Sequence, residues 1–122
     1  MKNKKILIVD DDRNMTAALK RVLKTFHFQC TTCDSAIEGL KKAEQINPHL
    51  ILLDMNMPLM SGLGFLNEIK RNAKLSHIPI VVLSGENDKD TAQEAMNRGA
   101  SGYLVKNYMR EDLLGMIQSY LK

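Results

Sequence analysis

Three acidic residues stand together at Asp10-Asp11-Asp12, and a further one, Asp54, closes the run Leu50-Ile51-Leu52-Leu53. Ser84 closes Ile80-Val81-Val82-Leu83, and Lys106 closes Gly102-Tyr103-Leu104-Val105. A carboxylate beside so apolar a stretch is costly unless its charge is compensated. Taken alone, Asp54 is a helix N-cap, a loop acid, or a reactive or metal-binding carboxylate, and its own stretch does not decide. Gathered in one crevice, three or four carboxylates repel one another unless a cation binds. Mg²⁺ is the natural cation: hard, octahedral, and held by one or two carboxylates together with waters and phosphate. A lysine and a hydroxyl beside that metal would complete an electrostatic clamp of phosphate size.

The elements that must position these residues alternate. Lys5–Val9 and Leu50–Asp54 are short apolar runs without alternation, which predicts strands buried on both faces of a parallel sheet. Gln29–Cys33, Ile80–Ser84 and Gly102–Lys106 predict three more strands. Met15, Leu19, Val22, Leu23 and Phe26 form one apolar helical face, with Lys20, Arg21 and Lys24 opposite. Ser35 and Glu38 have capping-box spacing for a second helix, with Ile37, Leu40 and Ala43 inward and a stop near Asn47-Pro48. Ser61-Gly62 leads into a third helix with Phe65, Leu66 and Ile69 inward. A fourth spans about Lys89 to Arg98 and ends at Gly99, a C′ residue. The last carries Leu113, Ile117, Tyr120 and Leu121 on one face. Five strand–helix alternations with short connections demand an α/β fold, a parallel sheet covered on both faces by right-handed crossovers. In open sheets of this kind, ligands bind outside the carboxyl ends of the strands. That edge carries Asp10, Asp11, Asp54, Ser84 and Lys106.

The chain of 122 residues suits one domain, 1–122, large enough for a core without disulfide or metal staples. Its net charge of +3 gives no argument for direct nucleic-acid binding. There is no apolar run near the roughly 20 residues that span a bilayer. The lysines at the N-terminus are not followed by a signal-length apolar segment, because Asp10–Asp12 interrupts it. A cytoplasmic protein without membrane attachment is therefore expected. Cys30 and Cys33 have no second Cys or His pair to complete a zinc site. Residues three apart on a strand face opposite sides, so ordinary reduced thiols are expected.

The whole chain resembles the receiver domain of bacterial two-component response regulators, in its chemotaxis-like single-domain form. The matching pieces are Val9-Asp10-Asp11, Leu53-Asp54-Met55-Asn56-Met57-Pro58 with Ser61-Gly62, Ser84, Gly99-Ala100-Ser101-Gly102-Tyr103, and Lys106. Each is weak alone; the ordered set is highly specific. The resemblance implies a flavodoxin-like, doubly wound, five-stranded parallel sheet in the order 2-1-3-4-5 with five helices, an order that alternation alone does not fix. It implies that Asp54 takes a phosphoryl group from a phosphohistidine, and that Asp11 binds Mg²⁺ directly. Asp10 is then implied to hold metal-bound water, and the backbone carbonyl of Asn56 to complete the protein's share of the metal shell. Lys106 resembles the cation that pairs with Asp54 and then with a phosphoryl oxygen. Ser84 resembles the hydroxyl that moves to the phosphoryl group, and Tyr103 the aromatic that turns inward with it. The implied donor is a sensor histidine kinase or histidine phosphotransfer protein. The implied target is a partner protein or fused output domain, reached through the fourth helix, fifth strand and last helix. Lys20, Arg21 and Lys24 are expected near the acidic site, where they help dock the donor.

Two positions depart from the family pattern. Asn107 replaces the proline after the lysine, so a trans Lys106–Asn107 bond is expected, since cis costs a non-proline residue about 2.5–4 kcal/mol. Gly85 replaces the alanine after the switch hydroxyl and leaves phosphoryl access open. Plainer roles exist for single residues: Asp12 as a helix start, Tyr103 as a strand aromatic, Ser84 as a strand-end cap, Lys106 as a solvated lysine. The first is preferred for Asp12. His27, His49 and His77 have no ligand-spaced partners, and the eight methionines fit core filling. The competing function is a phosphatase of the haloacid-dehalogenase type with Asp10 as nucleophile and Asp12 as second acid. Asn14 stands where that family has Thr or Val, and the reading leaves Asp54-Met55-Asn56-Met57-Pro58 unexplained. A degenerate scaffold receiver conflicts with the complete acidic and lysine set. Met1 and the stop after the last helix favour a stand-alone receiver.

Overall fold

The uninterrupted apolar runs become the strands of one sheet. The computed structural model describes residues 4–55, 62–85, 89–105 and 110–121. Strands β1 (Lys5–Val9), β2 (Gln29–Cys33), β3 (Leu50–Asp54), β4 (Ile80–Ser84) and β5 (Gly102–Val105) alternate with helices. These are α1 (Arg13–Thr25), α2 (Ala36–Ile46), α3 (Gly62–Arg71), α4 (Lys89–Asn97) and α5 (Arg110–Tyr120). The spatial order is β2-β1-β3-β4-β5 and every pair is parallel. This is the flavodoxin-like doubly wound arrangement. Its central strands β1, β3 and β4 are apolar and buried on both faces, as a parallel sheet between two helix layers requires.

Alternation along the strands divides the core in two. Leu7, Val9, Ile51, Leu53, Ile80 and Val82 pack with Phe65, Leu66 and Ile69 of α3 and with Ala36 and Ala43 of α2. Ile6, Ile8, Leu50, Leu52, Val81 and Leu83 pack with Leu19 and Leu23 of α1 and with Leu113 and Ile117 of α5. Cys30 belongs with the second group and Cys33 with the first, so the two thiols are free and on opposite faces. Burial raises both to a pKa of about 11, with Glu38 adding to the rise at Cys33. Of the methionines, Met55 is buried, and Met15, Met96 and Met116 pack against the two clusters.

Local chemistry sets the helix ends. The Asp12 carboxylate caps α1 by accepting the Asn14 and Met15 N–H groups, both at 3.1 Å. Ser35 Oγ accepts the Glu38 N–H at 3.1 Å and starts α2. Gly99 has φ +107°, its N–H donates to Met96 O, and the Ala100 N–H reaches back to Ala95 O. That is a Schellman stop, which glycine adopts without a Cβ penalty.

Two inward assignments need correction. Phe26 is 40% exposed, because α1 ends at Thr25 and the chain turns at His27, so Phe28 takes the inward place. Ile37 is 45% exposed; the face of α2 toward the sheet is Ala36, Gly39 and Ala43, with Leu40 alongside. The helix lies so close that a Cβ at Gly39 would meet Val9 Cγ2 at 2.9 Å and Phe65 Cε1 at 3.0 Å. Small residues therefore win that face. Among the described residues no helix is long and apolar enough to cross a membrane.

Candidate functional site

Strand register brings the polar strand ends together. β1 and β3 run paired through Val9 and Leu53, so Asp10 and Asp54 are the next residues on neighbouring strands. Asp54 is still in the sheet, paired with Leu83, and Ser84 is paired with Val105. The Asp10 N–H donates to Cys33 O at 3.0 Å, and the Met55 N–H to Leu83 O at 3.3 Å. Asp10, Asp54 and Ser84 are each only 1% exposed, whereas Asp11 is exposed. Two of the three acids thus sit where an isolated charge is expensive, and the third faces water at the rim.

One carboxylate oxygen from each of Asp10, Asp11 and Asp54 lies within 4.8 Å of the others. Mg²⁺ binds oxygens at about 2.0–2.1 Å in an octahedron, which places ligand oxygens about 2.9 Å apart when cis and about 4.2 Å when trans. Three carboxylate oxygens this close together could hold one hard divalent cation. Asp10 Oδ1 accepts the Asp12 N–H at 2.9 Å, which fixes that carboxylate against the entrance of α1. The positive end of the α1 dipole also lies beside the acids.

Each expected residue can be located or set aside. Asp10, Asp11 and Asp54 are brought together, and Ser84 lies at the neighbouring strand end. Tyr103 is on β5, paired with Val82, and its side chain is 40% exposed. Asn56, Lys106 and the Lys106–Asn107 bond lie outside the described residues. Lys20, Arg21 and Lys24 are all exposed on α1. Of these three, only Lys20 lines the cleft of about 340 Å³ that opens on Asp10; Arg13, Thr16, Cys33, Asp34 and Glu38 line it too. Sequence reasoning passed over Arg13, whose Nη2 pairs with Asp34 Oδ2 at 3.0 Å, both residues lining that cleft. The available signal was its place at the first position of α1, directly after the acidic run.

Residues 6–118 match the family described as response regulator receiver domain. The chain is similar to the transcriptional regulatory protein PrrA of Mycobacterium leprae, 30% identical over 118 residues, with 97% of this chain and 50% of PrrA covered. It spans about half the length of that relative. It is also similar to chemotaxis protein CheY-3 of Vibrio cholerae, 32% identical over 108 residues, covering 88% of this chain and 83% of that protein. The solved structure of chemotaxis protein CheY4 of Vibrio cholerae superposes with a TM-score of 0.89 at 30% identity, covering 97% of this chain and 98% of that one.

Proposed function

This chain belongs to the response regulator receiver family, whose members accept phosphoryl groups in two-component systems, and we propose that Asp54 is its acceptor. The observation that carries the assignment is the convergence of Asp54 with Asp10 and Asp11 within 4.8 Å at the strand ends. The phosphatase alternative is not favoured, since the family match covers residues 6–118 and includes the Asp54 stretch.

In the proposed reaction an Asp54 oxygen attacks the phosphorus of a phosphohistidine. The new O–P bond forms as the P–N bond breaks, and the electron pair of that bond goes to the imidazole. Phosphoryl transfer of this kind needs in-line placement and charge stabilisation more than acid–base chemistry. Asp10, Asp11, Asp54 and the Asn56 carbonyl would hold Mg²⁺, which when bound would supply charge neutralisation at the phosphoryl oxygens. Asp11, exposed at the rim, would bind the metal directly, and Asp10, fixed by the Asp12 N–H, would act through metal-bound water. Lys106 supplies the second positive charge. Burial of Asp54 keeps competing water away and strengthens each of these interactions.

Phosphorylation then biases Ser84 and Tyr103 between two arrangements and reshapes the face made by α4, β5 and α5. The receiver is one domain, residues 1–122, acting as a cytoplasmic phosphoacceptor switch and not as a turnover enzyme. Receiver domains work with histidine kinases and output domains. Here the donor is a sensor histidine kinase or histidine phosphotransfer protein, docked partly through Lys20. The target is a partner protein or a fused output domain, with no direct contact to nucleic acid or membrane. Incubation with acetyl phosphate and Mg²⁺ should add one phosphoryl mass, and EDTA should prevent it. Labelling that survives EDTA would remove the metal from the account.

A further inference from the structure

Gly62 opens α3, on the far side of the 56–61 connection from the acceptor. It is buried, and a Cβ there would lie 2.7 Å from Met55 Cα, 2.9 Å from the Asp54 carbonyl oxygen and 2.9 Å from Met55 Sδ. Two of these three atoms are backbone, so they cannot swing aside as the end of a side chain can. The Gly62 N–H also donates to Met55 O at 3.3 Å, tying the start of α3 to the end of β3. The helix cannot retreat, because Phe65, Leu66 and Ile69 behind Gly62 are fully buried in the core. The strand end is held to β4 by a bond of the same length, Met55 N–H to Leu83 O at 3.3 Å, near the long limit for such a bond.

We propose that Gly62 is a positioning residue for phosphorylation: its missing side chain sets where the Asp54–Met55 backbone stands, and so where the Asp54 carboxylate meets the metal and the donor. The inference rests on Asp54 being the acceptor. A methyl group at position 62 would act on the Asp54–Met55 peptide and on the buried Met55 side chain. Gly102 is the natural contrast. A Cβ there would also be crowded, at 2.9 Å, but against the Tyr120 hydroxyl and then Met116 Sδ at 3.3 Å, both side-chain atoms of α5.

The test compares wild type, Gly62→Ala, Gly102→Ala and Asp54→Asn for the rate of labelling by acetyl phosphate at saturating Mg²⁺, with melting temperature and amide spectra recorded for each. A misplacement near 1 Å costs about 10²-fold in rate, so folded Gly62→Ala should label about 10- to 100-fold more slowly than wild type. Gly102→Ala should lose some thermal stability and label at the wild-type rate, and Asp54→Asn should not label. A folded Gly62→Ala that labels as fast as wild type overturns the inference and leaves the acceptor assignment standing. So does a Gly62→Ala chain that fails to fold, because the glycine would then serve the fold as a whole. Equal slowing in Gly102→Ala overturns it too, by making the effect one of general packing. Labelling of Asp54→Asn overturns the acceptor assignment, and the inference with it.

Discussion

The two edges of the sheet carry opposite charge. Where the strands end, Asp10, Asp11 and Asp54 crowd their oxygens within 4.8 Å. Where the strands begin, Lys4 and Lys5 stand at or just before β1. In this topology helix N-termini face the first edge and helix C-termini the second, so the helix dipoles favour acids at one and cations at the other. The resemblance between the edges stops there. At the starting edge, Lys5 Nζ donates to Ile46 O at 2.7 Å and Lys70 Nζ to Ser76 O at 3.1 Å, so these cations close the carbonyl ends of helices and turns. Part of that work is steric: Lys70 lies under Gly99, and burial lowers the pKa of its ammonium. At the other edge, like charges converge on one spot. Dispersed charges matched to carbonyls serve the fold, whereas like charges driven together form a group that could hold a metal ion.

That contrast breaks first at Asp11. If the acids exist for the metal, Asp11→Ala should lower acetyl-phosphate labelling by about 100-fold or more, because the metal contributes several kcal/mol of charge stabilisation. It should not lower the melting temperature, since removing one of three like charges relieves repulsion. A large loss of thermal stability in this variant would place Asp11 in the fold instead. Next in size is Leu52, fully buried two residues before Asp54. Leu52→Ala should cost about 2–5 kcal/mol of unfolding free energy by urea denaturation. A cost below about 1 kcal/mol would mean that the sheet is held differently from the packing described here.

The starting edge makes its own prediction. His49 Nδ1 accepts the Lys5 N–H at 3.0 Å, which requires a neutral ring nitrogen, while the His49 N–H donates to Lys5 O. Partial burial and the nearby charges of Lys4 and Lys5 lower its pKa from 6.5. Below pH 6.5 the unfolded chain takes up this proton before the folded chain does. Its contribution to stability is therefore fully present above 6.5 and is lost as pH falls toward the lower folded value. The urea midpoint should drop in that window, and His49→Gln should reduce the drop; an unchanged slope in the variant would assign the dependence to other groups. The smallest effect belongs to Arg13. Its pair with Asp34 is 85% and 45% exposed at the side chains, so Arg13→Ala should cost less than about 1 kcal/mol. A double-mutant cycle with Asp34→Ala that returned several kcal/mol would contradict that.

Much of this fold is legible in the chain because parallel strands buried on both faces must be continuously apolar. The runs at Lys5–Val9, Leu50–Asp54 and Ile80–Ser84 coincide with the observed strands to the residue. The acids are legible for the same reason: a polar residue that ends such a run has only the sheet edge to occupy. The strand order was not legible from alternation, since right-handed crossovers permit several orders, and it came from the family resemblance. Phe26 and Ile37 were misplaced because periodicity reports a face, not where the helix stops or how near it lies to the sheet. The His27 turn and the close approach at Gly39 decide those points, and both depend on tertiary contacts. The tight seat of Gly62 was hidden likewise: a Ser-Gly pair reads as a turn, and nothing local reveals the Asp54 carbonyl against it.

Asp54, and no other carboxylate of the cluster, is the proposed carrier of the phosphoryl group. Intact mass after acetyl phosphate and Mg²⁺ treatment of wild type, Asp54→Asn and Asp10→Asn tests it directly. Wild type should gain one phosphoryl mass, Asp54→Asn none, and Asp10→Asn should show reduced labelling located on Asp54. Retained labelling in Asp54→Asn together with its loss in Asp10→Asn would contradict the account and move the nucleophile to the end of β1.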